Sequence, residues 1–158
     1  MSNLLLDMIK DEAADYVDVR FTDPRGKLQH VTLCADQVDE DLIAEGFMFD
    51  GSSIEGWKSI EASDMKLMMD VDSAYVDPFY AEKTICVHCS VVEPDTGEAY
   101  TRDPRGTAQK AEAYLKSSGI GDVAYMGPEA EFFLFDDVRY STSINKVSYE
   151  VDATDASW

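Results

Sequence analysis

Short segments of alternating apolar and polar residues, separated by turns rich in proline and glycine, run through the first hundred residues of this chain. A period of two is typical of β-strands that bury one face. Tyr16 to Phe21 and Lys27 to Leu33 alternate on either side of Asp23-Pro24-Arg25-Gly26, which predicts a β-hairpin. Further strands are expected over Lys66 to Val71 and Lys83 to Val92, joined by a link over Asp72 to Ala81. The chain must therefore build much of its core from short strands.

Helical patterns are shorter or come later. We expect short helices over Ser2 to Glu12 and Asp39 to Glu45. The clearest helix begins at Asp103-Pro104, because aspartate suits the N-cap and proline suits the first helical position. Two more strands are expected over Val123 to Met126 and Glu129 to Phe135, and from Asp136 onward the apolar density falls and no closing element is expected. These patterns predict an α+β chain in which residues 1–100 form a unit rich in hairpins and residues 101–158 begin something larger.

The charge balance excludes some partners. The chain carries 32 Asp and Glu against 13 Lys and Arg, a formal net charge of −19. Binding to nucleic acid needs clustered basic residues, and an anionic membrane surface repels such a chain, so we expect neither partner. The apolar runs are far shorter than a membrane helix, which needs about 20 residues. With no signal-peptide pattern and only three cysteines, we expect a cytoplasmic protein.

Two glutamates precede an aromatic run in Gly127-Pro128-Glu129-Ala130-Glu131-Phe132-Phe133-Leu134-Phe135. In a strand, Glu129 and Glu131 project from the same face. Next to a buried run, two carboxylates repel each other and lose solvation, and a pair of Mg²⁺ or Mn²⁺ ions offsets both costs. The alternative is the solvent-facing end of a strand, where both glutamates stay hydrated.

A loop rich in glycine and serine is expected over Phe47 to Trp57, with aromatic residues at both ends. Its Asp50-Gly51-Ser52-Ser53 stretch supplies a carboxylate and two hydroxyls on pliable backbone. One interpretation is a structured loop that presents Asp50 to a ligand or to another subunit. The other is an ordinary Asp-Gly turn with supporting serines.

Cys86-Val87-His88-Cys89 contains residue types that bind metals, but we interpret it as packed strand residues. In a strand, Cys89 faces away from Cys86 and His88, and no second Cys/His pair follows at zinc spacing. The lone His30 receives no role.

Taken in order, the motifs resemble those of type I bacterial glutamine synthetases, from about Leu4 to Trp158. Similar stretches are Phe49-Asp50-Gly51-Ser52-Ser53, Ala62-Ser63-Asp64 with Leu67, Val76-Asp77-Pro78-Phe79, Arg102-Asp103-Pro104-Arg105, and Gly127 to Phe135. The resemblance implies a β-grasp-like domain over residues 1–100, followed over 101–158 by the incomplete start of the α/β catalytic domain.

The family joins ammonium to the side-chain carboxylate of glutamate, with ATP as the second substrate. The resemblance implies that ATP phosphorylates glutamate to γ-glutamyl phosphate, from which ammonia displaces phosphate. It also implies two Mg²⁺ or Mn²⁺ ions for each active site, with Glu129 and Glu131 as ligands, one for each ion. Asp50 corresponds to a loop aspartate that binds ammonium and takes its proton, and Ser53 is its neighbour. Trp57 is expected to contact nucleotide across an interface.

The resemblance further implies a homo-oligomer of stacked rings, in which Asp50 of one chain completes the active site of the next. The family chain is much longer, so we expect a fragment without synthetase activity of its own, since two carboxylates cannot fill the coordination of two hard cations. The alternative is a non-catalytic truncated module that keeps the N-terminal fold and only mediates subunit interaction.

Overall fold

The computed structural model describes residues 4–157, which belong to two compact units. The first unit ends at Val123 and the second begins at Ala124. The helices are α1 (Leu4–Asp11), α2 (Glu40–Glu45) and α3 (Pro104–Ser118). The strands are β1 (Tyr16–Thr22), β2 (Leu28–Cys34), β3 (Phe47–Asp50), β4 (Asp64–Met69), β5 (Tyr75–Val76), β6 (Thr84–Val92), β7 (Asp137–Ser143) and β8 (Lys146–Asp152). This mixture confirms the expected α+β class.

The first unit is built around the long strand β6. The sheet order is β2-β1-β6-β4-β3, and β5 also pairs with β6. β1 runs parallel to β6, whereas the other pairs are antiparallel. Because the first half of β6 pairs with β1 and the second half with β4, this one strand joins the two parts of the sheet.

The core of the first unit follows the alternation of its strands. In β4, three side chains on one face are buried while their neighbours are half-buried. The α1 helix adds Leu5, which is fully buried. The side chains that β1, β4 and β6 contribute to this core are Val17, Val19, Phe21, Met65, Leu67, Met69, Ile85, Val87, Cys89 and Val91.

The expected hairpin of β1 and β2 is confirmed, and Asp23 explains its turn. The Asp23 carboxylate accepts hydrogen bonds from the Arg25 and Lys27 amides, both at 2.9 Å, and from Gln29 Nε2 at 2.9 Å. The expected short helices are also present, although the first residues of the one expected from Ser2 lie outside the described part of the chain. Gly46 ends α2 with φ of 83°, and a Cβ there would lie 2.5 Å from Met68 Sδ.

The expected helix at Asp103-Pro104 is confirmed as α3. Asp103 is buried, and its carboxylate caps the helix by accepting from the Arg105 amide at 3.0 Å. The other carboxylate oxygen accepts from the Val91 amide at 3.0 Å. The same side chain therefore starts the helix and attaches it to β6, which places α3 in the first unit.

A buried ionic network lies beside β1. Asp18 is fully buried and accepts hydrogen bonds from Arg20 Nε at 2.7 Å and Thr32 Oγ1 at 2.7 Å, and it lies 2.8 Å from His30 Nδ1. Arg20 also donates to Asp77 at 2.8 Å. Burial raises the pKa of Asp18, but the hydrogen bonds from Arg20, His30 and Thr32 outweigh it, so the pKa lies below its ordinary value. His30, which received no role from the sequence, is thus part of this network.

Two expectations for the first unit need correction. The loop expected over Phe47 to Trp57 begins only at Gly51, because residues 47–50 form β3 and pair with β4. The link expected between β4 and β6 contains β5, a strand of two residues. Both strands are too short to show a clear alternation in sequence, and pairing with a longer strand defines them.

Three expectations for the second unit are wrong. Val123 to Met126 and Glu129 to Phe135 form no strands, and the stretch after Asp136, expected to lack a closing element, forms the hairpin of β7 and β8. A strand needs neighbours for its amides and carbonyls, and in the described part of this unit β7 and β8 pair with each other. The sequence pattern did not predict this hairpin, because its two-residue turn, Ile144-Asn145, lacks the glycine that is typical of such turns.

Candidate functional site

Asp50 lies at the point where the sheet of the first unit ends. It is the last residue of β3, and it pairs across the ladder with Asp64, the first residue of β4. Both residues are exposed. From here the chain leaves the sheet through residues 50–57, which we call the Asp50 loop. The sheet thus holds the backbone of Asp50 while its side chain faces solvent.

Gly51 explains how the loop turns so sharply after the strand. Its amide donates to the Ser63 carbonyl at 2.7 Å, and the residue is buried. A Cβ at this position would overlap the Met65 side chain and approach the Ser63 carbonyl oxygen to 3.0 Å. Glycine is therefore required here by close contact with β4, which fixes the near end of the Asp50 loop.

The Asp50 carboxylate is held by the serines that follow it. Its Oδ1 accepts from the Ser52 amide at 2.8 Å and from Ser52 Oγ at 2.6 Å. The Ser52 hydroxyl, followed by the Ser52 amide, lowers the pKa of Asp50 below its ordinary value, and the Ser63 and Ser53 hydroxyls act in the same direction. The side chain is therefore a fixed, ionised carboxylate in contact with water, which suits it to attract a cation.

Trp57 lies at the far end of the loop and is 5% exposed. Its ring packs against Phe21, Phe49 and Tyr100, with ring centroids 5.5, 6.1 and 5.5 Å away. The residue anchors the loop in the core. A direct contact between Trp57 and nucleotide stays a prediction, and the ring would have to leave this cluster to make one.

Glu129 and Glu131 lie in the second unit and are both exposed. Since their segment forms no strand, the argument that i and i+2 side chains share a face does not apply to it. Carboxylate oxygens are the donors that Mg²⁺ and Mn²⁺ prefer, so the residue types fit such ions. Two carboxylates nevertheless supply only part of an octahedral shell, and residues 4–157 contain no cluster of three or more His, Cys, Asp or Glu side chains able to hold a metal ion.

The apolar run that follows is exposed, which corrects the expectation of a buried run beside the two glutamates. Phe132, Phe133 and Leu134 are largely exposed, and Phe133 stacks on Phe135 with centroids 6.2 Å apart. With Ala153, Asp155 and Ala156, residues 132–135 line an open cavity of about 370 Å³.

The cysteines of the Cys86-to-Cys89 stretch are packed strand residues. Burial raises the pKa of Cys86 to about 11 and that of Cys89 to about 12. Both thiols therefore stay protonated near neutral pH, and a protonated thiol is a poor metal ligand.

Sequence reasoning missed Tyr100 and underrated Ser52. Ser52 belongs to the Asp-Gly-Ser-Ser stretch, and the habit of serine to bond the backbone and side chains near an aspartate could have singled it out. Tyr100 donates to the Trp57 carbonyl from 43 positions away, and no local pattern reveals such a contact.

Two consecutive stretches of the chain match protein-family models. Residues 13–94 match the model described as "Glutamine synthetase, beta-Grasp domain", and residues 101–157 match "Glutamine synthetase, catalytic domain". Among the residues that the structure describes, no helix has the length and apolar character needed to cross a bilayer.

Proteins named glutamine synthetase are similar over nearly the whole chain. The one from Cereibacter sphaeroides is 74% identical over 97% of this chain and 33% of its own length. The one from Rhodobacter capsulatus is 72% identical over 97% of this chain and 35% of its own length. The chain thus spans about a third of the length of the curated relatives it matches.

Solved structures share the fold at low identity. A cryo-EM structure of Plasmodium falciparum glutamine synthetase has a TM-score of 0.72 at 23% identity, covering 96% of this chain and 30% of the other. A complex titled GmaS/ADP has a TM-score of 0.66 at 17% identity, covering 74% of this chain and 26% of the other. With two glutamine synthetase domain models matched in order along its length, the chain belongs to the glutamine synthetase family.

Proposed function

We propose that this chain forms part of an ATP-dependent glutamate–ammonia ligase. In this proposal, residues 1–100 form the β-grasp-like domain and residues 101–158 begin the catalytic domain. The observation that carries the proposal is the ordered match of both domain models over residues 13–94 and 101–157. Its substrates would be glutamate, ammonium and ATP, and its reaction would pass through γ-glutamyl phosphate.

In this reaction, Asp50 attracts ammonium and accepts a proton from it. Loss of that proton exposes the nitrogen lone pair, which attacks the acyl carbon of γ-glutamyl phosphate while the C–O bond to phosphate breaks. The lowered pKa of Asp50 supports the attraction more directly than the proton transfer, because it favours the ionised carboxylate. Ser53 is proposed as its neighbour in the site, and it contributes to the same low pKa.

Glu129 and Glu131 are proposed as ligands for Mg²⁺ or Mn²⁺, one for each of two ions. Such ions would neutralise the charge that develops on phosphate during transfer from ATP. The match of residues 101–157 to the catalytic-domain model supports this role, whereas the exposure of both carboxylates equally fits glutamates that stay hydrated. The remaining ligands would come from outside this chain.

We also propose a cytoplasmic homo-oligomer of stacked rings. In a ring, each subunit offers one surface to the next, so a loop from one chain can complete the site of its neighbour. The exposure of Asp50 at the edge of its sheet supports such an arrangement. The net charge of −19 argues against nucleic acid and anionic membranes as partners.

A chimera tests this function. The chain would replace the equivalent third of the Cereibacter sphaeroides relative, and the release of phosphate from ATP in the presence of glutamate and ammonium would be measured. Asp50→Asn should raise the KM for ammonium, whereas Glu129→Gln should weaken activation by Mg²⁺ or Mn²⁺. Asp95→Asn, on an exposed turn, is the matched control and should change neither. An inactive chimera, or full activity in both site variants, would contradict the proposal.

The alternative function is subunit interaction without catalysis. It is favoured because Glu129 and Glu131 supply only two carboxylates for two ions, and the described residues contain no larger cluster of metal-binding side chains. For the 158-residue polypeptide alone, we expect no γ-glutamyl hydroxamate from glutamine. Turnover by the purified chain would overturn this expectation. Co-sedimentation with a full-length relative, without activity of its own, would support an interaction module.

A further inference from the structure

The far end of the Asp50 loop is tied to the segment that follows β6. Tyr100 Oη donates to the Trp57 carbonyl at 3.0 Å in a buried hydrogen bond, and Arg102 Nη1 donates to the Gly56 carbonyl at 2.6 Å. The Tyr100 ring meets the Trp57 indole edge-on, with an angle of 71° between the planes. Two consecutive carbonyls and one large side chain of the loop are thus held from outside it.

Tyr100 is itself fixed on the central strand. It is 5% exposed, and its amide donates to the Val91 carbonyl at 2.9 Å. The Asp103 amide donates to the Tyr100 carbonyl at 3.1 Å, while the Asp103 carboxylate accepts from the Val91 amide. The Tyr100 ring is therefore buried, and its backbone is bonded directly to β6, the strand that joins the two parts of the sheet.

Lys58 adds two charged interactions beside the contact between Tyr100 and Trp57. Lys58, directly after Trp57, donates to both carboxylate oxygens of Glu93, at 2.9 and 2.7 Å. Its ammonium group also lies 5.3 Å from the centre of the Tyr100 ring, within the range of a cation–π contact. The segment leaving the loop is thus tied to the turn after β6 as well as to Tyr100.

We propose that Tyr100 is a positioning residue for Asp50 in ammonium binding, an inference that rests on the function proposed above. The near end of the loop is fixed by Gly51 against β4, and the far end is fixed by Tyr100 through Trp57. Between them lie Ser53 and Ser52, and Ser52 bonds to the Asp50 carboxylate through both its amide and its hydroxyl. Release of the far end lets these serines move away from the carboxylate, although Tyr100 does not touch the ammonium ion.

Hydrogen exchange on the 158-residue chain tests the structural half of this inference. Tyr100→Phe keeps the ring and removes only the hydroxyl. The Ile54 and Trp57 amides, which bond to carbonyls within the loop, should exchange about tenfold faster, as expected for the loss of one buried hydrogen bond. The amides of β1 and β6 should keep their rates. Tyr114→Phe, the same change on an exposed helical side chain, is the control and should leave the loop unchanged.

Kinetics of the chimera test the functional half. Tyr100→Phe should raise the KM for ammonium severalfold and leave the KM values for ATP and glutamate unchanged. A merely structural role would instead lower the amount of active enzyme, and so kcat, without changing the KM for one substrate.

Asp50→Asn in the same chimera separates the two hypotheses. If Asp50→Asn impairs use of ammonium while Tyr100→Phe changes neither loop exchange nor that KM, the positioning role is overturned and the proposed function stands. If Asp50→Asn has no effect, the proposed function of Asp50 fails. If Tyr114→Phe reproduces the effects of Tyr100→Phe, the inference is also overturned, because the response would not be specific to the hydroxyl that holds Trp57.

Discussion

The two units of this chain differ in how far they bury their apolar and charged side chains. In the first unit, strands β1, β4 and β6 bury a continuous core, and Asp18 is buried with Arg20, His30 and Thr32 around it. In the second unit, both faces of the β7–β8 hairpin are largely exposed, and the described residues of the unit leave most of the aromatic run from Phe132 to Phe135 uncovered.

The boundary between the two matched family models does not coincide with the boundary between the two compact units. The catalytic-domain model begins at residue 101, yet α3 is capped and held by Asp103, which is bonded to β6. The first unit therefore includes the first helix of the matched catalytic stretch. A two-stranded hairpin is marginally stable by itself, so we expect the second unit to be the less stable of the two.

The largest test of this contrast is the same truncation in both units. Leu67 is fully buried and Leu134 is 80% exposed. Leu67→Ala should lower the free energy of unfolding by about 4 kcal/mol, because it removes buried contacts and leaves a cavity. Leu134→Ala should change it by less than about 0.5 kcal/mol. Urea unfolding followed by circular dichroism measures both, and similar losses would show that residues 132–135 are packed in solution.

A second test compares two charge networks. Asp18→Asn should cost about 3 kcal/mol, because it leaves the half-buried Arg20 with one fewer carboxylate in a buried setting. In the second unit, Arg139 bonds to Asp137, Glu150 and Asp152, all partly exposed to water. Asp137→Asn should leave the melting temperature unchanged, since water screens exposed pairs. A large effect at Asp137 together with none at Asp18 would reverse this ranking.

Acid should act on the first unit through the same aspartate. Because the folded pKa of Asp18 lies below that of the unfolded chain, about 3.9, its contribution is complete above that value and is lost as the pH falls through the folded pKa. The urea midpoint should therefore fall as the pH drops below the unfolded value, and more steeply for the native chain than for Asp18→Asn. Parallel curves would show that other carboxylates account for the acid sensitivity.

The features that could be predicted from the sequence are those fixed by contacts between residues close together along the chain. The β1–β2 hairpin and α3 were predictable, because Asp23 and Asp103 act through bonds to residues within a few positions. The strand expected over Glu129 to Phe135 was wrong, because strand character depends on a partner that no local pattern supplies. The Asp-Gly-Ser-Ser stretch revealed Asp50, whereas the contact of Tyr100 with Trp57 depends on the finished fold.

The smallest expected effect on stability comes from replacing an exposed phenylalanine in each unit, and this comparison also probes the exposed apolar surface. Phe133 in the second unit is 86% exposed and stacked on Phe135, beside a cavity of about 370 Å³. Phe79 in the first unit is equally exposed but lies on a turn held by Asp77, which accepts from the Phe79 amide at 2.8 Å. A contiguous apolar patch binds a hydrophobic dye, and a single exposed ring does not.

Phe133→Ser should therefore reduce the fluorescence of an anilinonaphthalene sulfonate dye added to the chain, while Phe79→Ser leaves it nearly unchanged. Neither variant should shift the urea midpoint measurably, because both side chains are already hydrated. Equal loss of fluorescence in both variants would mean that the dye reports general exposure of the chain. A loss confined to Phe133→Ser would locate the exposed apolar surface at residues 132–135, which the described residues of the second unit leave largely uncovered.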